Sequence, residues 1–155
     1  MTVEAWRICK PKYVRTAFDG AGAARAPGRW NTSGQKVVYT SDSQSLATLE
    51  LLVHTDERLL TLYVLIPCSF DESFVEKLDP LTLPRGWQRL VDPGWAKLQQ
   101  IGGDWITSHR SAVLRVPSGV VPGQCNYLLN PEHPDFSKIV IGTPLKYKLD
   151  PRLGK

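Results

Sequence analysis

The order of apolar and polar positions along the chain predicts several short strands around one long helix. Residues 5–9 alternate between the two faces of a strand, with Arg7 opposite its apolar neighbours. Residues 36–40 follow a turn signal and form a second predicted strand. Residues 59–66 are a continuous apolar run, which is typical of a central strand, and Pro67 is expected to end it.

A buried helix is predicted between the second and third strands. Ser41 to Gln44 matches the S-x-x-Q pattern of a capping box, so the helix should begin near Asp42 and run to about Thr55. Apolar residues occupy nearly every position between 46 and 53, which predicts burial on most sides of the helix. Glu50 is the exception in the middle of this run.

The remaining predicted elements are shorter. A helix should begin at Asp92 and Pro93, because an Asp cap followed by Pro is a common helix start. Gly102 and Gly103 should end this helix, and Asp104 should cap a short one after it. The other expectations are a surface loop at 19–26, a helical turn at 74–78, a strand at 112–116, a polar loop at 124–136, and closing strands at 139–142 and 145–149.

Together these elements indicate an α+β fold. We expect a single domain, 1–155, with a mixed or two-layer β core, one buried helix and short peripheral helices. A length of 155 residues with 42% hydrophobic residues suits one such domain. The N-terminus lacks the apolar segment of a signal peptide, and the scattered Cys residues suit a reducing compartment. We therefore expect a cytoplasmic protein with no membrane partner.

Several chemistries lack their sequence signatures in this chain. The three His residues are not spaced as metal ligands, and HExxH, the P-loop, GxGxxG and G-x-S-x-G are absent from the sequence. We therefore expect no metal site and no bound cofactor. The net charge of +4 is compatible with an anionic ligand, but a surplus this small does not identify one.

Glu50 is the most informative single residue, because burying an unpaired carboxylate in an apolar helix is costly. Two interpretations remain open. The residue could belong to a polar stripe that faces solvent together with Gln44, Thr48 and Thr55. It could instead be a carboxylate in a ligand site, where other groups compensate its charge.

Four further positions are candidates for the same site, and three of them also have a structural interpretation. Arg29 could be a surface residue stacked on Trp30, or a guanidinium that binds a phosphate or carboxylate. Arg7 could supply a second such group, since two converging arginines suit a diphosphate. Tyr39 could simply pack in its strand, or it could be a platform for a planar ring. Ser118 could be a turn residue or a hydroxyl that contacts a ligand.

Five segments, GRWN, VVYTSDS, LATLELLVH, VPSGVV and NYLLNPEHPDF, resemble in this order the motifs of the RES domain family. This family, named for its Arg, Glu and Ser, consists of toxins from bacterial toxin–antitoxin modules. The likeness runs from Trp6-Arg7 to the final strands. It implies a fold similar to that of ADP-ribosyltransferases and an enzyme that degrades NAD+. The resemblance implies that the catalytic residues are Arg29, Tyr39, Glu50 and Ser118. It implies that the NAD-binding residues are Arg7 and Asn126.

The resemblance implies cleavage of the nicotinamide–ribose bond, with water or inorganic phosphate as the acceptor, so NAD+ is a substrate. Glu50 would hold ribose hydroxyls and stabilise an oxocarbenium-like state. Arg29 and Arg7 would clamp the diphosphate. Tyr39 would stack on the nicotinamide, and Ser118 would hydrogen-bond the nicotinamide or the adjacent ribose.

The resemblance also implies a partner, an Xre-type antitoxin that covers the active site. A homodimer is a further expectation, and no direct nucleic-acid partner is expected. One alternative function is an ADP-ribosyltransferase that modifies a macromolecule with the same residues. Another is an RNA-targeting toxin that uses the basic residues and the five Trp as a stacking surface.

Overall fold

The computed structural model describes residues 1–55, 58–91 and 94–154. Within these ranges the strands are β1 (Thr2–Cys9), β2 (Val38–Ser41), β3 (Leu62–Asp71), β4 (Val75–Lys77), β5 (Val113–Pro117), β6 (Cys125–Leu129), β7 (Val140–Ile141) and β8 (Leu145–Lys148). They form one sheet in the order β4-β5-β6-β2-β1-β3-β7, and β8 pairs with β3. The β4–β5 pair is parallel and the other pairs are antiparallel, so the predicted α+β fold with a mixed sheet is confirmed.

Few helices accompany this sheet in the described part of the chain. The α-helices are α1 (Ala21–Arg25), α2 (Gln44–His54) and α3 (Ala96–Ser108). Short 3₁₀ helices occur at Pro11–Thr16, Glu72–Phe74, Pro80–Thr82, Trp87–Arg89, Pro134–Lys138 and Pro151–Gly154. Among the residues described, no helix is both long enough and apolar enough to cross a membrane.

The sheet buries an apolar cluster on each face, because neighbouring residues of a strand point in opposite directions. Val113 and Leu129 belong to the cluster that also contains residues of β1 and β3. Leu114 and Leu128 belong to the other cluster, which α3 covers. Trp105 of α3 is almost fully buried there.

Helix α2 begins two residues later than the capping-box pattern predicts. Its cap is Ser43, whose hydroxyl accepts a hydrogen bond from the Leu46 N–H at 3.1 Å, whereas Ser41 is the last residue of β2. Residues 46–48 are buried where the helix packs against β1 and β2. Leu49 and Val53 are exposed, so the prediction that the helix is buried on most sides is wrong.

The two strands beneath α2 separate soon after they meet. Among the described residues, Trp6 and Ser41 form the registered pair between β1 and β2, while β1 pairs with β3 along its whole length. Beyond this pair, no further residues of the two strands pair in the described part of the chain. This divergence opens the cavity described below.

The segment 124–136 was predicted as a loop, but Cys125–Leu129 forms β6 between β2 and β5. The prediction failed because the alternation of polar and apolar residues that marks a strand is short here and is followed closely by prolines. Leu128 and Leu129 are nevertheless fully buried, one on each face of the sheet. Asn126, at the start of the strand, is thereby fixed beside the end of β2.

Pro67 does not end β3, contrary to the prediction. It lies where the outer partner of β3 changes from β8, which pairs as far as Leu65, to β7, which begins pairing at Cys68. A missing N–H is tolerated at such a gap. The carbonyl of Pro67 still accepts a hydrogen bond from the Gly142 N–H at 2.7 Å.

Helix α3 runs through Gly102 and Gly103 rather than ending there. A Cβ at Gly102 would overlap the carbonyl oxygen of Trp30, so glycine lets the helix pack against the backbone of the loop before β2. Asp104 is therefore an internal helical residue and not a cap. The glycines mark a close approach between helix and loop, not a helix end.

The other predictions have mixed outcomes. The predicted start of α3 at Asp92 and Pro93 lies outside the described residues. The helical turn predicted at 74–78 is wrong, because Val75–Lys77 forms β4 and pairs with β5. The loop predicted at 19–26 contains α1, whose start is fixed by the Ala21 N–H donating to the Asp19 carboxylate at 2.8 Å. The strand at 112–116 and the two closing strands are confirmed with slightly different bounds.

Candidate functional site

A cavity of about 610 Å³ lies between the diverging strands β1 and β2 and beneath α2. Its volume is in the range of small-molecule sites. The loop before β2 and the turn after β5 close its sides. The polar and charged side chains that line it include Arg7, Arg29, Tyr39, Glu50, His54 and Asn126.

Glu50 projects from α2 into this cavity, with only 19% of its side chain exposed. Its Oε1 accepts hydrogen bonds from the Ser118 hydroxyl at 2.9 Å and from Nδ2 of Asn126 at 2.7 Å. Its Oε2 lies 3.2 Å from Nε2 of His54, one turn later on the helix. Burial opposes ionisation, but the hydrogen bonds from His54, Asn126 and Ser118 outweigh it and hold the pKa of Glu50 below its ordinary value.

The donors to Glu50 are themselves held in place by hydrogen bonds. The Ser118 hydroxyl accepts from the N–H groups of Val120 and Val121, each at 3.0 Å, so its own proton points to Glu50. The Ser41 hydroxyl donates to Oδ1 of Asn126 at 2.8 Å, which turns the amide nitrogen of that residue towards the carboxylate. The carboxylate is therefore preorganised by groups from α2, β2, β6 and the turn after β5.

Arg29 lines the same cavity from the loop before β2. Its guanidinium carbon is 5.6 Å from the ring centre of Trp87 and 5.5 Å from that of Trp95, and its Nη1 donates to the Trp87 carbonyl at 3.2 Å. Burial lowers the pKa of Arg29, and the negative charge of Glu50 partly offsets this shift. Gly119 leaves room for the guanidinium, because a Cβ there would lie 2.9 Å from its central carbon.

Tyr39 is held by the same loop. Its hydroxyl donates to Oδ1 of Asn31 at 2.6 Å and accepts from the Trp30 N–H at 3.2 Å. Gly28 is required beside it, since a Cβ there would lie 2.8 Å from the tyrosine oxygen. Burial raises the pKa of Tyr39 far above its ordinary value, so the phenol is neutral.

Asn31 is fully buried and organises this loop, a role that the sequence did not indicate. Its Oδ1 also accepts from the Gly28 N–H at 2.9 Å, and its Nδ2 donates to the Ala23 carbonyl at 2.8 Å. Further bonds from Nδ2 reach the carbonyls of Thr32 and Gln35. The Asn31 side chain thus fixes the backbone conformation of the loop that carries Arg29.

Arg7 lies where β1 and β2 separate. Its Nη1 donates to the carbonyl of Tyr39 at 3.0 Å and so bridges the two strands beyond their registered pair. Its Nε is buried without a hydrogen-bond partner among the described residues. Burial also lowers the pKa of Arg7, although Cys9 and Asp19 oppose this shift.

The structure brings five of the six residues predicted for the site to the wall of one cavity. The sixth, Ser118, is 4% exposed and lies behind Glu50 with its hydroxyl directed at the carboxylate. Ser41 and Asn31 were missed, because neither belongs to a local pattern that differs from an ordinary turn or strand end. His54 had a detectable signal, since it follows Glu50 by four residues and so lies on the same helix face.

Comparisons with known proteins show the family to which this chain belongs. A family model described as the RES domain matches residues 4–150. A protein named Toxin Res from Photorhabdus laumondii is 39% identical over 152 residues, which cover 97% of this chain and 96% of that protein. A protein named Prs ADP-ribosylating toxin from Sphingobium sp. is 38% identical over 159 residues, which cover 99% of this chain and 98% of that protein.

The fold also matches a solved structure. In the crystal structure of the M. tuberculosis MbcT–MbcA toxin–antitoxin complex, one chain superposes with a TM-score of 0.76 and 18% identity. The match covers 96% of this chain and 85% of that chain. At this identity the likeness concerns the fold.

Proposed function

Because the chain belongs to the RES domain family, we propose that it is the toxin of a toxin–antitoxin system and that it cleaves the nicotinamide–ribose bond of NAD+. The observation that carries the proposal is the Glu50 carboxylate. It is ionised at neutral pH and held by three groups inside a cavity that Arg29 also lines. Such a fixed charge suits a reaction that develops positive charge on a sugar ring.

Glu50 is the group that stabilises the reacting ribose in this proposal. Cleavage of the nicotinamide–ribose bond passes through an oxocarbenium-like state, as in glycoside hydrolysis. The hydrogen bonds from Ser118 and Asn126 orient Oε1 before the substrate binds, so little reorganisation is needed during the reaction. Ser118 thereby acts as a positioning residue for Glu50 rather than as a direct ligand of the nicotinamide.

Arg29 and Arg7 bind the diphosphate in this proposal, and Tyr39 forms part of the nicotinamide site. Arg29 donates one hydrogen bond to the Trp87 carbonyl, and its other N–H groups form no hydrogen bond with the described residues. They are available to a phosphate oxygen, for which a guanidinium is well suited. The rings of Trp87 and Trp95 hold the Arg29 guanidinium in one orientation.

The acceptor is water or inorganic phosphate. Attack by water on the ribose carbon releases nicotinamide, ADP-ribose and a proton. Attack by hydrogen phosphate releases nicotinamide and ADP-ribose 1″-phosphate. In both cases the electrons of the broken C–N bond leave with nicotinamide and neutralise its ring charge.

Transfer of ADP-ribose to a macromolecule is the second candidate function. The relative named Prs ADP-ribosylating toxin, 38% identical over nearly the whole chain, favours it. The same carboxylate and arginines would serve, and the acceptor alone would differ. A protein whose mass increases after incubation with NAD+ would identify this activity.

An antitoxin of the Xre type is the proposed partner, and its terminal segment is expected to cover the cavity. Similarity to a toxin of a solved toxin–antitoxin complex supports a partner of this kind. An acidic side chain or terminal carboxylate beside Arg29 would suit the charge of the site. Purified toxin and cognate antitoxin should co-elute, and NAD+ turnover in the complex would contradict the proposed mode of inhibition.

The direct test is incubation of the purified protein with NAD+, with and without phosphate, followed by measurement of nicotinamide and identification of the ADP-ribose product. Arg29→Ala should lose most of the activity. Arg15→Ala, which removes an exposed arginine outside the cavity, is the matched control and should retain it. The proposal fails if the wild-type protein releases no nicotinamide from NAD+.

A further inference from the structure

Glu50 does not offer its two carboxylate oxygens equally to a ligand. Its Oε1 accepts two hydrogen bonds, from the Ser118 hydroxyl at 2.9 Å and from Nδ2 of Asn126 at 2.7 Å. A carboxylate oxygen has two lone pairs, so these two donors occupy Oε1 fully. A hydroxyl group of a ligand in the cavity therefore has to bind Oε2.

His54 is the side chain that lies beside Oε2. Its Nε2 is 3.2 Å from this oxygen, and no other polar group of the described residues lies within hydrogen-bond distance of it. The imidazole also lines the cavity, and 42% of the His54 side chain is exposed compared with 19% of the Glu50 side chain. His54 thus contacts, from the more exposed part of the cavity wall, the carboxylate oxygen that a ligand can reach.

A pair spaced by four residues near a helix end stabilises the helix, and His54 is the last residue of α2. Two observations indicate a role beyond this one. The partner of His54 is a largely buried carboxylate that lines the cavity, not a residue on the solvent face of the helix. The imidazole forms no hydrogen bond with any other described residue, so its contact with Oε2 is the polar interaction that fixes the ring.

We propose that His54 is a positioning residue for Oε2, and that this oxygen accepts a hydrogen bond from a hydroxyl group of the nicotinamide ribose. The inference rests on the proposed cleavage of NAD+ and deepens it, because it assigns separate roles to the two oxygens of Glu50. Oε1 anchors the carboxylate to the fold through Ser118 and Asn126. Oε2 binds the substrate, and Nε2 of His54 holds it in place.

This arrangement limits the number of ribose hydroxyls that Glu50 can bind. One lone pair of Oε2 is directed to His54, so one remains for the substrate. Glu50 therefore accepts a hydrogen bond from a single hydroxyl of the nicotinamide ribose. Loss of His54 leaves Oε2 free to turn away from that hydroxyl, which weakens the hydrogen bond and the stabilisation of charge on the ribose.

The test compares the wild-type protein with His54→Leu and His54→Gln. Leucine has no hydrogen-bond donor, whereas the amide nitrogen of glutamine can donate to Oε2 in place of the imidazole nitrogen. The matched control is Val53→Gln, which changes an exposed residue in the same turn of α2 that does not line the cavity. Circular dichroism and thermal unfolding verify that each variant is folded.

Nicotinamide release is measured with NAD+ and with two analogues, each of which lacks one hydroxyl of the nicotinamide ribose. With NAD+ we expect His54→Leu to lower kcat/KM about tenfold and His54→Gln to recover part of the rate, while Val53→Gln resembles wild type. With the analogue that lacks the hydroxyl bound by Oε2, the loss caused by His54→Leu should shrink to about twofold or less, because the hydrogen bond that His54 supports is already absent.

Binding without turnover gives a second measurement. ADP-ribose carries the hydroxyls of the second ribose, whereas ADP has the diphosphate and lacks that ribose. In calorimetry we expect His54→Leu to bind ADP-ribose about fivefold more weakly than wild type and to bind ADP with an affinity within about twofold of wild type. A residue that only stabilises α2 would not distinguish the two ligands.

Three results would overturn the assignment of His54: equal kcat/KM for His54→Leu and wild type with NAD+, a loss of the same size with NAD+ and with both analogues, or an equal loss in Val53→Gln. If wild type released no nicotinamide from NAD+, the proposed function would fail, while calorimetry would still decide whether His54 supports binding of the ribose. Equal affinity of wild type and His54→Leu for ADP-ribose would then overturn the inference as well.

Discussion

Replacing Ser118 by alanine deletes one oxygen atom, Oγ, and with it three hydrogen bonds. The hydroxyl donates to Glu50 at 2.9 Å and accepts from the N–H groups of Val120 and Val121 at 3.0 Å each. A hydrogen bond to a charged group contributes about 1.5–3 kcal/mol to stability. Val120 and Val121 are only half-buried, so water replaces part of what their N–H groups lose. The expected loss is about 3 kcal/mol in the free energy of unfolding.

Denaturant unfolding at pH 7 measures this loss, and thermal unfolding should show a melting temperature lower by roughly 10 °C for a domain of this size. Ser45→Ala is the matched control. Ser45 is exposed on α2 and its hydroxyl forms no hydrogen bond with the described residues, so its replacement should change stability by about 0.5 kcal/mol or less. A Ser118→Ala variant as stable as the control would refute the claim that this hydroxyl joins Glu50 to the turn after β5.

Three further predictions concern packing, pH and orientation. Gly102→Ala should destabilise the protein by about 2 kcal/mol or more in denaturant unfolding, because the added Cβ would overlap backbone, whereas Gly22→Ala, with open space in α1, should be neutral or stabilising. The pKa of Glu50 is depressed in the folded state, so the stability that the carboxylate contributes is present above its ordinary pKa of 4.5 and is lost as pH falls through the folded value. The difference in unfolding free energy between wild type and Glu50→Gln should therefore shrink on acidification. A difference that stays constant with pH would contradict this. Ser41→Ala should lower kcat for nicotinamide release about tenfold with little change in KM, since it frees the Asn126 amide to rotate, and Ser41→Thr should restore part of the rate.

The local sequence was sufficient to single out Glu50 but not to say what surrounds it. An acidic residue in an apolar helix had either to face solvent or to be compensated, and the structure shows three compensating groups. Two of them, Ser118 and Asn126, come from 68 and 76 residues further along the chain. Local periodicity holds no information on such contacts, which arise only when β6 is placed between β2 and β5. Ser118 is a candidate from its own sequence context, whereas Asn126 is a candidate only through the resemblance to a family.

The errors in the predicted fold have one physical origin, because tertiary packing overrode local signals. Gly102 and Gly103 are helix breakers by propensity, yet α3 continues through them because close packing against the loop before β2 requires small residues. Pro67 is tolerated within β3 because the outer partner strand changes there. The sequence predicts a loop at Cys125–Leu129, but its two leucines are fully buried and the segment forms β6. None of these contacts can be inferred from neighbouring residues alone.

The rate of nicotinamide release from NAD+ by Glu50→Gln tests the central claim most directly. The substitution keeps the size of the side chain and removes its charge, while Glu4→Gln, at an exposed position on β1, provides the matched control. With folding verified by circular dichroism, Glu50→Gln should lower kcat by about a thousandfold, which corresponds to about 4 kcal/mol of transition-state stabilisation, and Glu4→Gln should retain the wild-type rate. Wild-type NAD+ consumption by a folded Glu50→Gln variant would contradict the account.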